Sequence, residues 1–145
     1  MGDVNILSIV IATLMPMILG MIYYSKPLFG KTWMASIGMT EEKQKEANMP
    51  VVMGVSIVMA FLMAMFLLSF CNGPGQEGEF DTFKHGAFHG GLAAFFLAIP
   101  VLVSNGLFEQ RPWKSLLING LYWFITLMLM GGVLDVMNHF PNVVE

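Results

Sequence analysis

Charged residues are scarce in this chain of 145 residues. They make up 12% of the sequence, whereas hydrophobic residues make up 56%. Soluble domains carry about 25% charged residues. So few charged side chains cannot cover the surface of a water-soluble globule, which excludes an ordinary soluble protein.

Cysteine and surplus positive charge are also missing. The single cysteine, Cys71, excludes an intramolecular disulfide framework. Seven basic side chains stand against ten acidic ones, giving a net charge of −3, so nothing in the composition favours binding to nucleic acid. The sequence motifs of hydrolase nucleophiles, zinc proteases, phosphate loops and dinucleotide sites are absent too. We therefore expect a non-enzymatic protein without a nucleic-acid partner.

What the sequence has instead is four long apolar stretches. A bilayer core of about 30 Å takes roughly 20 residues of helix, because lipid offers no partner to backbone polar groups. Stretches of that length cover residues 4–24, 51–70, 83–107 and 116–136. The connection at 25–50 is the longest and is predicted to contain a short helix. The sequence thus predicts an all-α fold, an integral membrane four-helix bundle of two helical hairpins forming one domain (1–145).

Basic side chains are distributed unevenly between the two ends of these stretches. Cytoplasmic connections of membrane proteins carry the excess of Lys and Arg. The connections after the first and third stretches carry Lys26, Lys31, Lys43, Lys45, Arg111 and Lys114. Only Lys84 lies near the other side. The sequence therefore predicts that both connections are cytoplasmic and both chain termini outside, an N-out/C-out orientation.

Small residues recur every four positions in the two middle stretches. They are Ser56, Ala60 and Ala64 in the second stretch, and Gly86, Gly90, Ala94 and Ala98 in the third. Residues four apart share a helix face, and small side chains there let another backbone approach closely. These helix-packing faces are expected to lie against each other or against a second copy. We favour packing within the chain, because one chain must first hold its own bundle together.

Two blocks of the sequence resemble a known family. The first block is Tyr-Tyr-Ser-Lys-Pro-Leu-Phe-Gly-Lys-Thr-Trp at 23–33. The second is Asn-Gly-Leu-Phe-Glu-Gln-Arg-Pro-Trp-Lys at 105–114, followed by Leu-Ile-Asn-Gly at 117–120. Together they are similar to the bacterial family called domain of unknown function 1761, although that family has tryptophan in place of Tyr23 and proline in place of Lys26. The resemblance implies a small multi-pass protein of the bacterial cytoplasmic (inner) membrane, and it transfers no catalytic residue.

Four polar residues are predicted to cluster at the cytoplasmic mouth of the second hairpin: Asn105, Glu109, Arg111 and Asn119. In a structural interpretation Glu109 pairs with Arg111 or Lys114, and the asparagines satisfy turns and helix ends, because polar groups near lipid need partners. In a functional interpretation the cluster belongs to the path of a solute or a proton. We favour the structural interpretation.

All three histidines fall at the predicted outer membrane face. His85 and His89 are four residues apart at the start of the third stretch, and Asp135 and His139 have the same spacing near the end of the fourth. If the two helices are antiparallel neighbours, three imidazoles and a carboxylate could bind Zn²⁺ or another divalent metal, or two histidines could bind a haem. Alternatively, the histidines bond to loop carbonyl groups. We favour that alternative and expect no cofactor.

Methionine is abundant, with 14 residues. Thioethers suit Cu(I), but the methionines are spread over three stretches and the long connection instead of converging at one depth. Because methionine is a flexible apolar side chain, packing explains its abundance better.

Packing faces are thus more abundant in this sequence than reactive groups. We expect a scaffold or accessory subunit of a membrane complex, or a homo-oligomer, whose partners are the lipid bilayer and other membrane subunits or itself. The alternative is a protein that binds or transports a small solute or an ion through the polar clusters at the membrane faces.

The predicted orientation can be tested by labelling single cysteines in intact cells. We expect Lys43→Cys to be shielded from a membrane-impermeant thiol reagent, because the basic connections face the cytoplasm, and Gln76→Cys to be labelled. The unsubstituted chain, which carries only Cys71, is the control. Labelling at position 43 without labelling at position 76 would reverse the orientation.

Overall fold

The computed structural model describes residues 4–73 and 80–139, so Gln76 lies outside the described residues. Helices are the only regular secondary structure in that part of the chain. In chain order they are α1 (Ile6–Tyr23), α2 (Gly30–Ile37), α3 (Glu41–Lys45), α4 (Met49–Cys71), α5 (Phe83–Ala93), α6 (Ile99–Phe108) and α7 (Trp113–Val136), with a π-helical segment, Ala94–Ala98, joining α5 to α6.

Four helices among the described residues are long and apolar enough to cross a membrane. We number them as spans. Span 1 is α1, span 2 is α4, span 3 is the continuous helix Phe83–Phe108, and span 4 is α7. The expected all-α architecture with four membrane helices is therefore confirmed. We call the end of the bundle that contains Asn5 and Val136 the terminal end. The opposite end, which carries the two basic connections, is the basic end.

Local sequence explains where three of the spans begin. The side-chain oxygens of Asn5, Asn48 and Thr82 accept hydrogen bonds from backbone N–H groups in the first turns of spans 1, 2 and 3. Such side-chain caps satisfy N–H groups that have no partner inside the helix. Span 4 instead begins directly after Pro112, whose φ of −64° suits a helix start.

The long connection contains two short helices where the sequence predicted one. Helix α2 ends at Gly38, which adopts a left-handed φ of 65°, and α3 begins after Thr40, which caps it. The turn before α2 is tight, since a Cβ on Gly30 would overlap the carbonyl oxygen of Tyr24. Glycine permits both features because it lacks a side chain. The chain therefore folds back so that α2 packs against span 4.

Span 4 is the central helix of the bundle. Half of its most apolar window is buried, against 22% for each of the other spans, and it contacts all three of them. Span 3 makes the most extensive contact with it, and span 2 contacts spans 1 and 3 as well as span 4. The buried core where they meet contains Ala12, Ala64, Leu67, Ala93, Ala94, Leu127, Met130 and Leu134.

Spans 3 and 4 approach so closely that their backbones touch. A Cβ on Gly86 would overlap the carbonyl oxygen of Gly131, and a Cβ on Gly131 would overlap that of Gly86. One turn further, a Cβ on Gly90 would overlap the carbonyl oxygen of Leu127. The small face of span 3 therefore lies against span 4, within one chain.

The other small residues have different surroundings. Ala60, Ala64 and Ala94 are buried, Ala98 is half-buried and Ser56 is exposed. Ala98, the last residue of the π-helical segment, still packs against the buried core that contains Ala94. This segment lies just before Pro100, which cannot donate the usual helical hydrogen bond.

Span 1 is fastened to span 4 by polar contacts at both ends. At the terminal end, the Asn5 backbone N–H donates to Asn138 Oδ1 at 2.7 Å, and Asn138 Nδ2 donates to Ser8 Oγ at 2.8 Å. Towards the basic end, Tyr122 Oη donates to the Pro16 carbonyl at 2.5 Å, and Tyr23 Oη donates to the Ile118 carbonyl at 2.9 Å. Each contact satisfies a polar group in surroundings where water is scarce.

The close approach of spans 3 and 4 predicts a large difference between two Gly→Ala substitutions. Gly90→Ala should lower the free energy of unfolding by about 1–3 kcal/mol or more, because the new methyl group overlaps backbone that cannot move aside cheaply. Gly54→Ala is the control, since no neighbouring atom of the described residues lies within 4 Å of its Cβ position. We expect it to be neutral or stabilising, because alanine favours a helix. Equal melting temperatures for the two variants in detergent would contradict this packing.

Candidate functional site

A histidine–aspartate pair joins spans 3 and 4 at the terminal end. His85 Nδ1 and Asp135 Oδ2 lie 2.8 Å apart, with side-chain exposures of 17% and 0%. Thr82 caps the helix start that carries His85, and the close contact of Gly86 with Gly131 brings the two helices together there. The pair therefore connects two helices across the interface at which their backbones touch.

The four residues considered for a metal or haem do not form one set. His89 lies beside His85, with ring centroids 4.4 Å apart, but His139 is paired with Asp81 at 3.5 Å. The spacing argument fails for His139 because span 4 ends at Val136, so His139 no longer follows the helical face of Asp135. Among the described residues, no group of three or more His, Cys, Asp or Glu side chains could hold a metal ion.

Cys71 lies close to this histidine–aspartate pair but within the protein. Its side chain is fully buried, and its Sγ lies 3.9 Å from the carbonyl oxygen of Gly86. Burial separates the thiol from a second chain, so this structure offers no surface for the intermolecular disulfide that a lone outer cysteine could form.

The polar residues near the basic end also separate into different contacts. Arg111 Nε donates to Glu109 Oε2 at 2.6 Å, and both side chains are about half exposed. They follow span 3, where Gln110 takes a left-handed φ of 56° and the Arg111 N–H donates to the Gly106 carbonyl, the pattern of a Schellman cap. Asn105 is exposed, and its carbonyl accepts from the Glu109 N–H.

Asn119 has a different partner, which the sequence did not identify. Tyr24 Oη donates to Asn119 Oδ1 at 2.8 Å, linking the end of span 1 to span 4. The rings of Trp33 and Tyr122 each lie 5.2 Å from that of Tyr24. The two blocks that carry the family resemblance therefore meet here. The sequence held one indication of this contact: Asn119 lies inside an apolar helix, where an asparagine needs a polar partner.

A cavity of about 820 Å³ opens beside this aromatic group. It exists because span 2 diverges from the bundle towards the basic end: residues 51–59 are all exposed, whereas Ala60, Ala64, Leu67, Leu68 and Cys71 are buried. Spans 1, 2 and 4 form its walls, together with α2 and Leu102 of span 3. Of the predicted polar cluster, Asn119 lines the cavity, whereas Asn105, Glu109 and Arg111 do not.

The walls of the cavity are apolar and rich in methionine. Six of the 14 methionines line it: Met17, Met21, Met49, Met53, Met59 and Met63. Sequence reasoning interpreted the methionines as packing residues because they are spread along the chain, and only the tertiary structure brings these six around one space. Among the residues that the structure describes, no charged side chain lines the cavity. The lining residues with polar side-chain groups are Tyr24, Trp33, Gln44, Ser56, Asn119, Tyr122 and Trp123.

One polar group at the cavity lacks a partner. Trp33 Nε1 is buried and makes no hydrogen bond with any described residue. An indole N–H can only donate, so a buried one without an acceptor costs about 1–3 kcal/mol.

An ion pair borders the cavity on its water side. Lys26 Nζ donates to Glu41 Oε1 at 2.6 Å, which ties the turn after span 1 to α3. Their hydrogen bond and charge attraction lower the pKa of Glu41 and raise the pKa of Lys26. Because the Glu41 pKa is lowered on folding, the ion pair stabilises the folded chain at pH values above the ordinary carboxyl pKa. This stabilisation is lost as the pH falls through the lowered pKa of Glu41. Both side chains are exposed, so the effect is small.

The two carboxylate pairs predict contrasting substitution effects. Asp135→Ala should lower the free energy of unfolding by about 1–3 kcal/mol, because it leaves the partly buried His85 without its hydrogen-bond partner and opens a void at the fully buried position 135. Glu109→Ala is the control and should leave the melting temperature almost unchanged, since the Glu109–Arg111 pair is solvent-exposed. Asp135→Asn, which keeps an acceptor, should fall between them. A larger loss in Glu109→Ala than in Asp135→Ala would be inconsistent with this assignment.

Comparison with known proteins agrees with the resemblance seen in the two blocks. The model of a family described as "Protein of unknown function (DUF1761)" matches residues 7–135, which include all or nearly all of each span. No curated protein and no solved structure matches the chain.

Proposed function

The chain belongs to the DUF1761 family, and from this premise we propose that it is a non-enzymatic membrane protein that binds a membrane-soluble amphiphile in the methionine-lined cavity. The cavity is the observation that carries the proposal. Its volume of about 820 Å³, its apolar walls and its few polar groups at one end are typical of small-molecule sites.

The composition of the walls supports a flexible apolar ligand. Methionine has three rotatable bonds and a polarizable sulfur, so it adapts to irregular apolar shapes. Because residues 51–59 of span 2 are exposed, such a ligand could enter sideways from the lipid. The polar side chains elsewhere, such as Asp135 and Asn138, hold helices together, which supports a binding role over a chemical one.

We further propose the orientation given by the basic side chains, in the cytoplasmic membrane of a bacterium. The excess of Lys and Arg at the basic end supports it. The polar end of the cavity then lies near the cytoplasmic membrane surface, at the level of Tyr24 and Gln44.

A scaffold or accessory-subunit role is the second candidate. The exposed half of span 2 favours it, because a helix from another subunit or from a second copy could lie along residues 51–59. The small face of Gly86 and Gly90 no longer supports it, since that face is occupied by span 4.

Native mass spectrometry of protein extracted in mild detergent tests the proposal. We expect about one bound molecule of lipid-like mass per chain, and a severalfold lower occupancy in Ser56→Trp, because the indole would fill part of the cavity that Ser56 lines. Val58→Trp is the matched control. It places the same side chain two residues away, at an exposed position that does not line the cavity.

The outcomes separate the two candidates. Equal occupancy in both tryptophan variants would contradict binding in the cavity. A second protein subunit that is lost in Ser56→Trp, with no small molecule bound to the unsubstituted chain, would favour the scaffold role instead.

A further inference from the structure

We propose that the cavity selects an amphiphile whose head is uncharged and presents carbonyl-type hydrogen-bond acceptors, held by the N–H groups of Trp33 and Asn119. This inference rests on the proposed function and specifies the chemical class of its ligand. It follows from two of the donors that line the cavity and from the charges near its polar end.

The indole of Trp33 provides the first donor. Its Nε1 is buried without a hydrogen-bond partner among the described residues, and Trp33 lines the cavity. The ring is positioned by its edge contact with Tyr24, 5.2 Å between centroids. Since this group donates and cannot accept, it is matched by an oxygen with a free lone pair.

Asn119 provides the second donor. Its Oδ1 is occupied by the hydroxyl of Tyr24 at 2.8 Å, which fixes the side-chain amide. The remaining polar atom, Nδ2, carries only donors. Because Asn119 also lines the cavity, both groups favour an acceptor in the same region.

The charged side chains near the cavity then indicate which kind of acceptor group the ligand carries. In the part of the chain that the structure describes, no lysine or arginine lines this cavity, and the nearby Lys26 is paired with Glu41. Phosphate and carboxylate heads are bound most strongly by charge-assisted hydrogen bonds, above all from arginine. A neutral carbonyl oxygen fits two neutral donors without leaving a buried charge unpaired.

The length of the cavity indicates the rest of the ligand. Its lining on span 2 runs from Met49 to Met63, which corresponds to about 21 Å of helix at 1.5 Å per residue. The walls along this length are apolar. The ligand class is therefore a neutral carbonyl head on a long apolar chain, the chemistry of an alkyl quinone.

Thermal-shift titrations in detergent test this inference with three probes: a benzoquinone that carries a decyl chain, decylbenzene without carbonyl groups, and an anionic phosphatidylglycerol. We expect the quinone to raise the melting temperature at the lowest concentration, because a ligand of the folded state stabilises it. Its apparent affinity should fall about three- to tenfold in Trp33→Phe, which keeps an aromatic ring and removes the N–H. Trp113→Phe, at an exposed position outside the cavity, should bind like the unsubstituted chain.

Trp33→Phe could also lower the stability of the protein, which would weaken the binding of every probe. We therefore compare the ratio of quinone affinity to decylbenzene affinity between Trp33→Phe and the unsubstituted chain. An unchanged ratio in Trp33→Phe would overturn the role of the indole. Preference for decylbenzene or phosphatidylglycerol over the quinone would overturn the neutral carbonyl head while leaving amphiphile binding intact. If no probe binds and Ser56→Trp changes nothing, both the inference and the proposed function fail.

Discussion

Direct contact between the backbones of spans 3 and 4 is the constraint on which the rest of this structure depends. Lipid tails are as apolar as the helix surfaces, so no hydrophobic force drives helices together inside a bilayer, and close packing must do so. Gly86, Gly90 and Gly131 permit that packing because none of them has a Cβ to separate the helices. The buried His85–Asp135 pair lies at the same interface, where the short distance between the helices lets two short polar side chains meet.

Span 4 then serves as the surface on which the other helices assemble. Span 1 also packs on it, and the contacts there are directional: Asn138 bonds to Asn5 at the start of span 1, Tyr122 bonds to Pro16 near its middle, and Tyr23 at its end bonds to Ile118. Hydrogen bonds fix the register of two helices in a way that apolar contacts alone do not. Span 4 is therefore joined to span 3 by the His85–Asp135 pair and to span 1 by hydrogen bonds along its length.

Span 2 is held differently, and the cavity results from that difference. Its half near the terminal end packs through Ala60, Ala64 and Leu67, whereas its half near the basic end begins with exposed residues at every position from 51 to 59. A helix fastened at one end leaves space at the other. The aromatic residues of the chain after span 1 close that space on the water side and give it polar groups, so the features that suggest ligand binding arise where packing is incomplete.

The sequence by itself determined the membrane class, the four spans and the small residues through which helices could approach, because span length and hydropathy act locally and each apolar run must satisfy its own backbone. It could also place His85, His89 and Asp135 near one end of the bundle, since helical spacing is regular. It could not place His139, which lies beyond the helix, or pair Asn119 with Tyr24, 95 residues away. Only the tertiary structure decided that span 3 packs on span 4, and that six scattered methionines surround one cavity. Those outcomes depend on how far whole helices diverge, which no local pattern of residues encodes.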